Sequence, residues 1–517
     1  MQFSIPQGNL AYIIVLIITL VLVNLLLGPF NRIIAVIRKT ARHYVRRIHG
    51  LRYLIAGPEI IDDAYSKARG KPFRVSTPSN DHVLITSCEL IKEVIDAPLH
   101  SLSLHAIATE MLQPKYTMHG FEWQEQRGVE GTGFVRALRS LLTSHLPYFR
   151  SDLDRIIRGL LHDELSQPQD DGYARAKLYP MIKSIVAKIN CFVFFGEELS
   201  QIEEFTTAAL EFPQVVILTA ECLRITPKCL RLIVASLVTR RHQAAKTLCR
   251  YLEPVVSARL RDRSQADSSK PAEVDCMQWL IDTSPRKNQW SPARMIGEIL
   301  AIWFSSVHQL TMTATYVVQD LCLHEEYVES LRQEIQKYTA EVPPETTLDV
   351  ERLPLLDSFI KESIRCSNVD AISCRRKALQ NFSLQDGSVV EKGEWVCIPQ
   401  RAMMRDPSRY SNPEAFDGFR FAHANASLSE GQLTSRIPDR EPSSLTTSNM
   451  EWPIWGLGNT ACPGRFYASL ILKLIIIQIV TEWDCMMPDT SAPRTMVWRS
   501  SVVPLERTVV MFRKRCL

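Results

Sequence analysis

Apolar residues are arranged in three different ways along this chain. From Leu10 to Leu27 they run almost unbroken (LAYIIVLIITLVLVNLLL), with no charge and Asn24 as the one strongly polar side chain. Eighteen helical residues span about 27 Å, close to the thickness of a bilayer core. From about 134 to 260 the apolar positions recur at three- and four-residue spacing, which predicts a succession of helices. Ser291-Pro292 reads as a helix start, a hydroxyl cap followed by proline in the first turn. The helix it opens runs to about His324 and is unusually long and apolar in its middle. Shorter helices are predicted at Pro58–Ala68, Cys88–Ile95, Leu355–Cys366 and Gly464–Trp483. His82–Thr86 reads as a strand. A strand-rich patch runs from Lys377–Leu384 through the Asp386-Gly387 turn to Glu394–Ile398, and a short strand pair closes the chain. Ser264–Glu273 is polar and reads as a surface loop; 422–450 is rich in Ser, Thr, Pro and charge and reads as an irregular loop. With no internal repeat and no clear linker, the pattern predicts one large, mainly α domain with a minor β-sheet over residues 51–517. Ahead of it stand an N-terminal segment (1–9), a membrane span (10–27) and a basic linker (28–50).

Charge orients that span. The start, MQFSIPQGN, has no lysine or arginine, and no small-residue cleavage site follows the apolar run. Both argue for a retained anchor over the alternative, a cleaved signal peptide. Arg32, Arg38, Lys39, Arg42, Arg46 and Arg47 follow it, and positive charge beside a span stays on the cytosolic side. The expectation is a single-pass protein of the endoplasmic reticulum membrane, residues 1–9 lumenal and the domain in the cytosol. The same basic segment suits an anionic membrane surface. The rest is that of an ordinary globular protein, 46% hydrophobic and 22% charged. The net charge of +4, with no dense basic tract beyond the N-terminal region, excludes nucleic acid as a partner. Thirteen scattered cysteines without a CxxC pair fit a reducing compartment. There the N-x-S sites at Asn381 and Asn425 stay unglycosylated.

One cysteine stands apart through its neighbours. Residues 455–468 read WGLGNTACPGRFYA. Gly456, Gly458 and Gly464 let backbone pass close to a flat object and take up positive φ. Cys462 stands at the start of a helix, where backbone N–H groups favour thiolate over thiol. The stretch resembles the haem-binding signature of the cytochrome P450 family, F-x-x-G-x-x-x-C-x-G-R. Gly458, Cys462, Gly464 and Arg465 match it, Trp455 stands for the usual Phe, and Thr460 replaces the His or Arg that usually meets a haem propionate. Two further motifs support the resemblance. FIKESIRC carries Glu362 and Arg365 as E-x-x-R, and Pro413, Phe416, Arg420 and Phe421 form P-x-x-F-x-x-x-R-F. In the family the second arginine locks the first pair in the interior, where an orphan charge costs several kcal/mol.

The resemblance implies the cytochrome P450 fold, haem b on the thiolate of Cys462, and propionates held by arginines. Arg376 occupies the family's usual place, and Arg139, in VRALRSLLTSHL, is preferred over Arg127 of the literal Trp123–Arg127 match because Gly128, Gly131 and Gly133 interrupt that stretch. The long helix usually carries A-G-x-D/E-T, whose acid and hydroxyl relay protons. Here it reads Ser305-Ser306-Val307-His308-Gln309. Either His308, Ser305 or Ser306 orders a water chain for proton delivery, or His308 only satisfies a carbonyl at a helix bend. The implied activity is NADPH- and O2-dependent oxidation of a lipophilic small molecule by a monomer, with electrons from a separate flavoprotein reductase, since the chain has no GxGxxG of its own. YLIAGP, QPKYTMHGFEW and WRSSVVP look like fungal secondary-metabolism members, many of which act on terpenoid, indole-diterpenoid or meroterpenoid scaffolds. The rivals are a reductase-independent haem-thiolate isomerase or peroxygenase, and a non-catalytic haem- or lipid-binding protein.

Overall fold

Thirty-two residues make the longest helix, Pro292–Leu323, and most of the architecture follows from burying it. Ser291 caps it, its hydroxyl accepting from the Arg294 N–H at 3.2 Å, and Pro292 fills the first turn. Most of its length is buried, which is why its sequence is apolar nearly all round. The computed structural model describes residues 48, 50–121, 135–265, 273–341 and 349–516. The expected anchor at Leu10–Leu27, the basic stretch Arg32–Arg47, Trp123, Arg127 and most of the Ser264–Glu273 loop lie outside the described residues.

Among the described residues, nine helices position the site. They are α1 (Tyr53–Ala68), α2 (Thr143–Glu164), α3 (Leu178–Ser200), α4 (Glu203–Ile225), α5 (Gln243–Gln265), α6 (Pro292–Leu323), α7 (Pro354–Cys366), α8 (Arg420–Ser429) and α9 (Arg465–Glu482). α6 is flanked by α3, α5, α7 and α9, and their apolar faces share one continuous core that includes Trp303, Val307, Ile471 and Ile475. Among the described residues one helix, α3, is long and apolar enough to cross a membrane, and 78% of its apolar window is buried in this core.

A proline organises the contact between α4 and α6. Pro213 inside α4 has no N–H, so the carbonyl of Ala209, four residues earlier, loses its helical partner. The indole N–H of Trp303 on α6 takes it up at 2.9 Å, with Trp303 fully buried.

The minor sheet has five strands, β1 (Phe73–Ser76), β2 (Asp81–Leu84), β3 (Leu102–Ser103), β4 (Ser373–Ala378) and β5 (Trp395–Ile398), in the order β1-β2-β5-β4-β3. β2 and β5 are parallel (Val83 opposite Val396) and the other pairs antiparallel. A bulge between Ser373 and Arg376, with Cys374 at φ 49°, shifts the register just before Arg376, a device that re-aims side chains.

Two expectations change. Residues 422–450 are not wholly irregular: α8 reaches Ser429, because its amides at Phe421 and Ala422 find the Ser358 hydroxyl at 3.0 Å each and Arg420 is anchored on α7. The closing strands number more than a pair. Thr495–Trp498 and Ser501–Pro504 form a hairpin, and Val509–Lys514 lies between Ala174–Lys177 and Trp483–Met486 in a second sheet.

Candidate active site

The E-x-x-R residues and the later arginine meet in the interior. Glu362 takes Arg365 in a fork, Nε and Nη2 each at 2.8 Å, and Arg420 Nε at 3.1 and 3.2 Å. The Asp417 N–H adds a bond at 3.0 Å. Side-chain exposure is 0% for Glu362 and Arg365 and 2% for Arg420. The remaining guanidinium donors go to the carbonyls of Met404, Pro413, Ala415, Ser411 and Asn412. Charges this deep stand only when each lone pair and proton is matched.

That lock stands behind the cysteine loop, and segment 430–450 braces the loop directly. Trp455 donates its indole N–H to the Leu445 carbonyl at 2.6 Å, Ser448 bonds the Gly456 carbonyl at 2.7 Å, and Arg465 Nε bonds the Thr446 carbonyl at 3.0 Å. The Cys462 N–H returns to the Trp455 carbonyl at 2.6 Å. Gly456 and Gly458 hold φ of 74° and 60°, and a Cβ on Gly458 would stand 2.6 Å from Ile95. Gly464 sits instead at φ −94°, so its reason is space rather than a special φ: a Cβ there meets nothing within 4 Å. Cys462 keeps some accessible surface although protein surrounds it on most sides, as in the wall of an internal hollow. Burial pushes its thiol up, against the Gly464 amide, Arg465 and Arg139. The helix start alone therefore does not favour the thiolate; a metal ion bound at Cys462 would supply it, by displacing the proton.

The two propionate candidates differ. Arg139 lies half-buried in a π-helical turn, Ala137–Leu142, leading into α2, close enough to bear on Cys462 and Arg465. Its Nε is buried and has no hydrogen-bond partner. Arg376 is buried and bonds the carbonyl of Arg375 at 2.8 Å and the hydroxyl of Thr460. Thr460, the departure from the family motif, thus receives this arginine. Arg465 is engaged by backbone carbonyls, Thr446 and Cys462 (3.3 Å), and stacks on Phe466.

The middle of α6 splits its polar residues between two faces. Ser305 and Gln309, one turn apart, are exposed although most of the helix around them is buried. Ser306 turns the other way, its hydroxyl on the Trp303 carbonyl at 2.8 Å and its carbonyl on Asn190 Nδ2 at 3.0 Å. His308 faces α4, with Nε2 buried and unpartnered. Burial pushes it down to about 4, Lys183 adds to this, and the Pro213 carbonyl opposes it. The imidazole is neutral at ordinary pH and meets the Pro213 carbonyl of the neighbouring, proline-containing helix. Sequence reasoning missed Asn190 and Tyr467, whose hydroxyl bonds Asn190 Oδ1 at 2.7 Å; nothing in their local pattern distinguishes them from core positions. A cavity of about 700 Å³ opens between Leu104–Leu112, the end of α4 and Arg231–Val238, lined by Thr109, Gln113, Tyr116, Phe121, Arg224 and Arg231.

A mainly helical domain that offers one cysteine from a glycine loop beside a long central helix, with an unmatched guanidinium at hand, has the architecture of a haem-thiolate protein. The residues fit that group: a soft sulfur ligand, open space at Gly464, and Arg139 Nε without a partner. The chain belongs to the cytochrome P450 family, whose sequence profile matches residues 57–511. It is similar to the cytochrome P450 monooxygenase olcJ of Penicillium canescens, 27% identical over 471 residues covering 90% of this chain and 85% of that one. It is also similar to the monooxygenase paxP of Penicillium paxilli, 26% identical over 468 residues covering 89% and 86%. A retinoic acid-bound cyanobacterial CYP120A1 shares the fold, with a TM-score of 0.65 at 19% identity over 90% of this chain and 96% of that one. Family and relatives make the protein an oxidoreductase of the monooxygenase class.

Proposed function

We propose that the protein is a haem-thiolate monooxygenase that oxidises a lipophilic small molecule of terpenoid type, with Cys462 as the iron ligand. The observation that carries this is Cys462 held by the braced glycine loop, with Arg139 Nε unmatched beside it. Haem bound through a thiolate supplies O–O cleavage and insertion of one oxygen atom into substrate. The chain's own residues do the rest. The lock at Glu362 fixes the platform behind the loop. Arg139 and Arg376 meet the propionates, Arg376 with Thr460 as its second partner. Ser305 and Gln309 present hydroxyl and amide on one face of α6 and order water there for proton delivery. The cavity lined by Tyr116 and Phe121 admits an apolar body, while Gln113, Arg224 and Arg231 offer polar groups at its edge.

Electrons come from NADPH through a separate reductase. The domain sits on the cytosolic face of the endoplasmic reticulum, held by the Leu10–Leu27 anchor. Exposed Ile225, Leu232, Ile233 and Leu237, flanked by Lys228, Arg240 and Arg241, suit contact with an anionic lipid surface. The fungal-type sequence motifs support the substrate class, and the fungal relatives support the monooxygenase class.

The test is a reduced, carbon-monoxide difference spectrum of haem-supplemented protein and of Cys462→Ala. A thiolate-type Soret band in the parent and its loss in the variant are expected; a parent without that band sinks the reading. Turnover that persists without NADPH and reductase would favour the peroxygenase or isomerase alternative. Metabolite profiles of a deletion strain identify the substrate.

A further inference from the structure

The side chain of Asn190 joins three helices at the centre of the domain. It is fully buried on α3. Its Nδ2 donates to the Ser306 carbonyl at 3.0 Å and lies 3.3 Å from the Ser306 hydroxyl, while its Oδ1 accepts from the Tyr467 hydroxyl at 2.7 Å. The amide orientation follows from chemistry: the carbonyl can only accept, so the NH2 end must face it. Tyr467 is in the first turn of α9, five positions after Cys462. Ser306 lies in α6 between Ser305 and His308. A side-chain donor on a mid-helix carbonyl competes with the helix's own N–H four residues on, and tilts that carbonyl outward. Ser305 and Gln309 lie on the adjoining exposed face, about 60–100° round the helix from Ser306.

We propose that Asn190 is a positioning residue, tying the helix that follows the cysteine to the central helix and fixing the angle at which Ser305 and Gln309 face the reaction. It acts through the Ser306 backbone and touches neither substrate nor cofactor. All three groups are neutral. Burial pushes the Tyr467 hydroxyl well above its ordinary value, so the tether does not titrate in the working range. Its catalytic consequence rests on the monooxygenase reading, but its structural consequence does not.

The experiment uses the full-length, haem-loaded protein and three variants, Asn190→Leu, Asn190→Asp and Tyr467→Phe. Amide exchange is followed by mass spectrometry on peptides covering 303–312 and, as reference, 355–366. Product formed per NADPH consumed is measured in parallel with reductase. In Asn190→Leu, exchange over 303–312 rises about tenfold, the weight of one lost hydrogen bond, with the reference peptide unchanged. The thiolate band persists, product per NADPH falls, and hydrogen peroxide makes up the balance. Tyr467→Phe shifts exchange less, because both Ser306 contacts remain. Asn190→Asp makes exchange and yield pH-dependent: a protonated buried carboxyl still donates to Ser306, and an ionised one does not. The parent stays flat over the same range. If Asn190→Leu fails to fold, the pH dependence of Asn190→Asp decides alone. Parental exchange and yield in Asn190→Leu, a lower melting temperature as its only change, or an Asn190→Asp that matches the parent at every pH, overturns the proposal. A parent without turnover counts against the monooxygenase reading and leaves the exchange result standing.

Discussion

The ion cluster behind the cysteine loop and the polar groups in front of it obey opposite rules. Around Glu362 the carboxylate meets two guanidiniums and a backbone N–H, and the guanidiniums spend their spare donors on carbonyls. On the other side, Arg139 Nε and His308 Nε2 are buried without partners, and Ser305 and Gln309 are exposed. A saturated network stabilises one arrangement and leaves nothing over for a ligand. Unmatched groups cost stability in the chain alone, and where they gather about a candidate site they point to a ligand. Saturation therefore separates platform from reactive surface where residue type does not, since arginine appears on both sides.

The contrast breaks first at Glu362. Glu362→Gln removes the anion and strands two buried guanidiniums, at a cost of about 3–5 kcal/mol. Soluble yield and melting temperature should both collapse, and an unchanged melting temperature would show that the lock is ornamental. His308 comes next. Its folded value of about 4 lies below the ordinary 6.5, so between these pH values the unfolded chain binds the extra proton. Stability from this neutral imidazole is complete above 6.5 and is lost as pH falls toward 4, a total of about 3 kcal/mol. His308→Gln should flatten the acid limb of melting temperature against pH, and an equally steep limb in the variant refutes it. Arg139→Leu is smaller and more selective. It should leave the haem-free unfolding free energy within about 0.5 kcal/mol of the parent, since no hydrogen bond at Nε is lost, and weaken haem retention about tenfold. Apomyoglobin competition measures the transfer.

Much of this was legible before any coordinates. The long helix, its Ser291 cap and its proline follow from periodicity and capping chemistry. Cys462, Glu362, Arg365 and Arg420 follow from motifs whose residues lie in short, rigid segments, where local sequence fixes local geometry. Asn190 was not legible, because its role depends on two partners 116 and 277 residues away. Segment 430–450 is irregular as expected, but its role was not legible for a related reason. It braces the cysteine loop through the carbonyls of Leu445 and Thr446 and the Ser448 hydroxyl, and main-chain acceptors leave almost no mark on composition. Of the two reasons given for Gly464, positive φ fails and close approach remains. A glycine kept for space and one kept for positive φ look identical in sequence.

The smallest effect tests whether saturation also governs a neutral carbonyl. Pro213 strips the Ala209 carbonyl of its helical donor, and Trp303 supplies another at 2.9 Å. Trp303→Phe should therefore cost more than lost volume, because it orphans a buried acceptor. Pro213→Ala returns an N–H four residues on, so the same Trp303→Phe change should cost less in that background. The double-mutant cycle cancels packing losses common to both backgrounds and isolates about 1 kcal/mol of coupling. Urea melts of the four proteins would measure it. Strict additivity would mean that the Ala209 carbonyl needs no second donor, and that Trp303 holds α4 to α6 through its surface area alone.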